Sequence, residues 1–298
     1  MRPRSLTSLV ALAAVPALLL TGCVDNSTPS SGSTSNAPAV KKNTSLADQV
    51  PASIKSAGKL TIGMDDTYPP NEYKDDNGNP TGWEVDLANA VAGKLGLKAT
   101  FAVAKFDNII PSITGGKDDL GMSSFTDTTE REKQVDFVNY YSAGILWASK
   151  KGRTIDPDKA CGLKVAVQAT TYEDTDEVPA KSKACTAKGK PAVQAVRYDT
   201  QDEATNAVIL GKVDALSADS PVTLYAISKT QGKLQAAGKT FDEAPYGIPV
   251  QKGSKLGPVL QKAVQALIDD GTYKKILDKW GVADGAVTSA QMNAASKG

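Results

Sequence analysis

From Lys59 onward, short apolar runs alternate with segments whose apolar residues recur every three or four positions. LTIGM (60–64) predicts a buried strand. Val85, Leu87, Ala88, Val91, Ala92 and Leu95 share a helical face, and Gly96 follows where a C-cap is expected. KATFAVA (98–104) predicts the next strand. Asp107 then stands where it would cap a second helix through Ile109, Ile110 and Ile113, closed by Gly115 and Gly116. Pro111 falls inside that helix, which only the first turn tolerates well. DLGMS (119–123), LKVAVQ (163–168), a helix around 205–210 and VDALSA (213–218) continue the alternation. Such a succession predicts an α/β fold with parallel sheets flanked by helices.

One internal echo accompanies it. GKDDLGMSS (116–124) and GKVDALSAD (211–219) share a glycine helix stop, a lysine, an aspartate opening a strand and a polar residue at its far end. The same supersecondary unit is therefore expected once in each of two lobes.

Polar residues gather just past the carboxyl ends of the predicted strands: Asp65, Ser124 with Thr126, Thr170 with Thr171, and Asp219. Ligands of open α/β sheets bind there. In MSSFTDTTEREKQVDF (122–137) the hydroxyls of Ser123, Ser124 and Thr126 precede Arg131. Hydroxyls, backbone amides and a planar guanidinium suit a carboxylate or a phosphate. Taken alone, the same stretch also reads as a polar turn capping a helix, with Arg131 solvated.

The ends of the chain add a compartment. Arg2 and Arg4 precede an apolar run, LVALAAVPALLL (9–20), too short to span a bilayer comfortably. Leu20, Thr21, Gly22 and Cys23 then resemble a bacterial lipobox, which implies cleavage before Cys23 and acylation of its thiol; a plain secretory peptide is the alternative. Residues 24–45 are rich in Ser, Thr, Asn and Pro, and predict a flexible tether. The folded part is expected from Leu46, about 250 residues, enough for one large or two modest domains. Without Arg2 and Arg4 the chain has 32 basic against 33 acidic residues and no basic stripe interleaved with aromatics, so nucleic acid is not an expected partner. The chain has no histidine, which excludes His-dependent triads and His-ligated zinc. Cys161 and Cys185 form an even pair outside the cytoplasm, read as a disulfide with two buried free thiols as the alternative.

The ordered motifs resemble the extracytoplasmic solute-binding proteins of ABC importers for polar amino acids. They are GMDDTYPP (63–70), GWEVDLA (82–88), FDNIIP (106–111), MSS with Arg131, and DGTYK (270–274) before Trp280 and Gly281. The resemblance implies a two-lobed, periplasmic-binding-protein-like fold of type II, with two parallel-dominated sheets joined by two hinge strands. Residues 46–143 with 247–298 would form lobe one and 144–246 lobe two, after a signal peptide (1–22) and a lipid-anchored tether (23–45). It implies Arg131 on the ligand's α-carboxylate, helped by Ser124, Thr126 and Thr171, and Asp219 on its α-ammonium. Tyr68 and Phe106 would sandwich the ligand's stem and Asp65 reach its side-chain end. Blander readings stand beside these: Asp219 as a helix N-cap, Tyr68 as a turn aromatic, Phe106 as core. Asn71 departs from the family's usual apolar residue, which would make the pocket floor more polar. Ala169 replaces a frequent glycine, which puts a backbone contact there in doubt. The expected protein is a monomeric carrier on the outer face of the membrane, serving a permease, without cofactor or metal. Its expected ligand is a basic amino acid or glutamine; a sensor ectodomain or a dehydratase-like enzyme is the alternative.

Overall fold

In the computed structural model, residues 40–297 are described. The expected signal peptide, Cys23 and most of the expected tether lie outside the described residues. In chain order the strands are β1 (Lys59–Met64), β2 (Thr67–Tyr68), β3 (Glu72–Lys74), β4 (Pro80–Thr81), β5 (Lys98–Val103) and β6 (Leu120–Gly121). They continue with β7 (Val135–Lys150), β8 (Lys164–Gln168), β9 (Gln194–Tyr198), β10 (Ala215–Asp219), β11 (Leu234–Gln251) and β12 (Ala286–Met292).

Two parallel groups carry the architecture. β5, β1 and β6 are parallel neighbours, crossed over by helices Trp83–Lys94 and Phe106–Thr114. β10, β8 and β9 form the second group, crossed over by helices Val178–Thr186 and Gln201–Ile209. Parallel strands need such crossovers, which is why the 2-period and 3.6-period patterns alternate along the chain. The long antiparallel strands β7 and β11 join the groups into one path, β5-β1-β6-β11-β7-β10-β8-β9, with β12 paired to β7. β2, β3 and β4 form a small separate meander. The β7–β11 ladder is irregular at Ala237/Phe241, at Phe241/Ala244 and at Tyr246/Gly247, between the parts that serve each group. Gly144 lies in that stretch, where a Cβ would come within 2.5 Å of the Thr240 methyl and 2.8 Å of the Phe241 carbonyl oxygen.

The apolar cores fall on either side of this irregular stretch. One packs Leu60, Trp83, Leu87, Val91 and Tyr140 against Leu260, Leu267 and Ile276. The other side holds a cluster around Ala166, Val208 and Leu216 and another around Trp147, Val165 and Val178. Tyr68 crosses over: it belongs by sequence to the first side and packs in a cluster of the second. Cys161 and Cys185 are bonded, with Cα atoms 5.5 Å apart, tying the turn before β8 to helix Val178–Thr186.

Several local expectations change. The helix after β5 has Lys105, not Asp107, at its N-cap, and no side chain caps it; Asp107 sits in the first turn, where a negative charge still favours the helix dipole. That helix runs on through Pro111. DLGMS contributes only Leu120 and Gly121 to the ladder, because Ser123 and Ser124 turn away to bond carboxylates. Order also begins before Leu46. The Asn43 N–H donates to the Lys94 carbonyl at 2.8 Å, the Asn43 side chain caps Thr44–Ala47, and Val40 packs on the core. No helix of the described residues is long and apolar enough to cross a membrane.

Candidate functional site

The carboxyl ends of β1, β6, β8 and β10 face one narrow cleft, whose free cavity is about 10 Å³. All eight residues singled out from the sequence line it: Asp65, Tyr68, Phe106, Ser124, Thr126, Arg131, Thr171 and Asp219. Glu72, Ser123, Gln168, Tyr172 and Glu173 line it with them.

Arg131 starts the short turn Arg131–Lys133, and its guanidinium is fixed from several sides. Nη1 donates to the Thr126 carbonyl at 2.7 Å and Nη2 to the Thr170 carbonyl at 2.9 Å. Its carbon lies 5.6 Å from the centre of the Phe106 ring and 5.7 Å from that of Phe125, within cation–π range. The two rings stack at 4.4 Å. Burial pulls the guanidinium pKa down, while the charges of Glu173 and Asp176 push it back up. Phe106 thus serves both as core and as cleft wall.

Asp219 holds the N-cap position of helix Ser220–Lys229, yet its side chain makes no capping bond. The carboxylate instead accepts the Tyr68 hydroxyl at 2.8 Å. Burial raises it to about 6, against the Tyr68 hydroxyl and the positive charge of Arg131.

Asp65 is the most engaged carboxylate of the cleft. Oδ1 accepts the Thr67 N–H at 2.9 Å and the Thr67 hydroxyl at 2.6 Å. Oδ2 accepts the Phe106 N–H at 3.1 Å and the Gln168 amide at 2.9 Å. Those four bonds match the four lone-pair sites a carboxylate offers. Burial still raises its pKa.

Behind Ser124 lies a buried acidic pair. The Ser124 N–H and hydroxyl both donate to Glu84, at 3.0 and 2.9 Å, and the Tyr140 hydroxyl donates to Glu84 at 2.6 Å. The Ser123 hydroxyl donates to Glu72 at 2.9 Å. These bonds hold Ser124 in the left-handed region, at φ 52°, an unusual place for a residue with a side chain. Burial drives both carboxyls up, and the charge of Glu84 raises Glu72 as well.

The two departures from the family pattern resolve locally. Asn71 does not line the cleft; its amide donates to the Ser124 hydroxyl at 2.7 Å and its carbonyl accepts the Trp83 ring N–H at 2.7 Å. Ala169 continues the pairing of β8, its N–H donating to the Tyr198 carbonyl at 2.9 Å. The left-handed residue of that turn is Thr170, at φ 64°, whose carbonyl receives Arg131. The Thr171 hydroxyl donates to the Gln168 carbonyl at 2.9 Å.

Gln168 and Glu173 escaped the sequence reading for different reasons. Gln168 is the last residue of an apolar run, and only the fold turns it toward Asp65. Glu173 opens an acidic stretch, EDTDE, that reads as a solvated surface. Among the described residues, no group of three or more Cys, Asp or Glu is arranged to hold a metal ion.

The family model for bacterial extracellular solute-binding proteins, family 3, matches residues 60–283. The chain is 41% identical to the arginine-binding protein ArgT of Corynebacterium glutamicum, over 82% of this chain and 81% of that protein. Among solved structures, an ancestral arginine-binding protein bound to arginine is 36% identical, with a TM-score of 0.69, and covers 75% of this chain and 98% of its own. An ancestral amino acid-binding protein that is a precursor of cyclohexadienyl dehydratase is 33% identical, with a TM-score of 0.66, over 76% and 97%.

Proposed function

Because the chain belongs to the bacterial extracellular solute-binding proteins of family 3, we propose that its cleft captures a polar amino acid for an ABC importer, with arginine the favoured ligand. The observation that carries this reading is a fixed guanidinium and a buried carboxylate brought to one cleft from strands on either side of the central β11–β7 pair. Arg131 takes the ligand's α-carboxylate, assisted by Thr126 and Thr171; Ser124, expected to help, gives its N–H and hydroxyl to Glu84 and supports the turn from behind, and Asp219 takes the α-ammonium. Tyr68 and Phe106 wall the stem between them. Residues 46–143 with 247–298 and residues 144–246 act as two lobes about β7 and β11. Hydrogen bonds cross between them at the cleft: the Tyr68 hydroxyl to the Asp219 carboxylate, the Asp219 N–H back to the Tyr68 oxygen, Gln168 to Asp65 and Arg131 to Thr170.

Asp65 sets the preference at the side-chain end. A guanidinium or ammonium replacing the Gln168 amide on Oδ2 exchanges a neutral hydrogen bond for a charge-assisted one. Glutamine makes only a neutral replacement, and glutamate brings like charge into a desolvated cleft. Glutamine therefore ranks behind the basic amino acids, and the acidic ones rank last.

The carrier works as a monomer outside the cytoplasm, held to the membrane by acylation of Cys23. Intact-mass analysis of the membrane fraction checks the anchor: a diacylglycerol-sized increment on a chain beginning at Cys23 is expected, and an unmodified chain contradicts it. The reading favours a carrier over a dehydratase, because each charge of the zwitterion has a partner in the cleft and relatives at 41% and 32% identity are arginine-binding proteins. A thermal-shift screen against the twenty amino acids tests capture directly. Ligand at about 100 times its dissociation constant adds roughly 2.7 kcal/mol, so arginine should raise the melting temperature measurably. No shift with any amino acid would overturn the assignment.

A further inference from the structure

Glu173 opens the turn Glu173–Glu177 and is 2% exposed, buried at the wall of the cleft. Its Oε1 meets no hydrogen-bond donor among the described residues. Buried acceptors are nearly always satisfied, so one left open at a ligand cleft marks a place where the ligand brings the donor. The titratable groups that face it are Asp219 at the end of β10, Arg131 in the turn after β6, Tyr68 of β2, and Tyr172 and Glu177 of its own turn. Asp219 already accepts the Tyr68 hydroxyl, and an α-ammonium brings three N–H donors. One carboxylate so occupied leaves part of that ammonium unpaired.

We propose that Glu173 joins Asp219 as an acceptor for the ligand's α-ammonium and releases its proton to solvent as the ammonium arrives, so that amino-acid capture is coupled to proton release. The inference rests on the capture reading above. Two features of the site support it. The carboxyl of Glu173 is pushed up to about 8, by burial first and then by the negative charge of Asp219, so it holds a proton at neutral pH. Charge also balances. Bound arginine adds one net positive charge to the cleft, and the departing proton removes one. The O–H bond of Glu173 breaks, its electron pair stays on the carboxylate, and that oxygen accepts an N–H of the ammonium.

Linkage gives the sign. A group protonated in the free protein and ionised in the complex opposes binding below its free pKa and ceases to do so above it. Arginine affinity should therefore rise with pH from 6 to 8, by up to about tenfold per unit, and level off by pH 9. Calorimetric titration with arginine in phosphate and in Tris, whose ionisation enthalpies differ, counts the protons. At pH 7 about one proton should leave per arginine bound, falling toward none at pH 9. Glu173→Gln should still bind arginine, with most of the proton release at pH 7 and of the pH dependence between pH 7 and 8 lost. Because Glu177, raised to about 7, and Asp219, raised to about 6, keep their places in the variant, any release they contribute persists there and is subtracted. Wild-type binding without proton exchange, or an undiminished release in Glu173→Gln, overturns the role of Glu173 while leaving capture intact. Should the variant not fold, the wild-type count across pH 6–9 decides. No arginine heat at any pH defeats the capture reading itself, and this inference with it.

Discussion

Asp119 and Asp214 open corresponding strands in the two halves of the sheet and make the same pair of bonds. Each follows a helix-ending glycine at positive φ, Gly116 at 72° and Gly211 at 73°. The Asp119 carboxylate accepts the Thr61 N–H at 2.8 Å, and that of Asp214 accepts the Lys164 N–H at 2.7 Å. Each aspartate returns its own N–H to the carbonyl of the same neighbour, at 2.9 and 2.8 Å. The scaffold is thus repeated, and the rims above it diverge. On the first half Asp65, Ser123, Ser124, Glu72 and Glu84 bond one another and their own backbone. On the second half Asp219 and Glu173 reach the cleft with acceptor capacity to spare. One half is a settled platform carrying the cation, and the other supplies carboxyl groups with acceptor capacity to spare. Chemistry resides on the rim, where a shared scaffold leaves the side chains free to differ.

The largest expected effect separates the halves by charge. Arg131→Ala should cost about 2–5 kcal/mol of arginine affinity, the usual loss when one member of a desolvated charge pair is cut away. Circular dichroism should be unchanged, since Phe106 and Phe125 keep their stacking. Near-wild-type affinity by calorimetry would mean that the anionic half recognises the ligand alone.

A second difference concerns how each half is held together. Only the second carries a disulfide among the described residues, and each of its apolar clusters is smaller than the main core of the first. Replacing Cys161 and Cys185 by serine should lower stability by about 3 kcal/mol on the loop-entropy account, read from urea midpoints. An unchanged midpoint would show that the second half needs no staple.

The smallest effect tests the echo itself. Asp118 occupies the position that Val213 holds in the other half, and both are 5% exposed. Asp118 Oδ1 has no hydrogen-bond partner among the described residues, and burial raises its pKa. A raised carboxylate holds its proton more tightly in the folded chain, so its destabilising contribution is absent below the unfolded pKa and grows as pH rises past it. Asp118→Val should therefore stabilise the fold at pH 7, by about 1 kcal/mol, the lower end of the cost of an unsatisfied buried group. The gain should vanish near pH 3. Thermal melts at both pH values check it, and a loss at pH 7 would show that the aspartate is needed where the echo has valine.

Much of this was legible in the sequence because periodicity and strand-end chemistry are local. The apolar face from Val85 to Leu95 gives helix Trp83–Lys94, and Arg131 is marked by the hydroxyls before it. What escaped depends on partners far along the chain. The middle of β11, GKTFDEAP, looks like a loop and is extended because β7 lies beside it. The polar residues 40–45 read as tether, yet the Lys94 carbonyl and the core surface dock them. Glu173, Asp174 and Glu177 read as solvated charge and are buried, because a π-helical turn rolls them inward.

The central claim is a cleft that takes an amino acid by both charges and favours a positive side chain at Asp65. Calorimetric titration of the purified protein with arginine, glutamine and glutamate tests it most directly. One-to-one binding is expected, tightest for arginine, weaker for glutamine, and undetectable for glutamate. Glutamate binding more tightly than both would contradict it, because Asp65 could not then stand at the side-chain end.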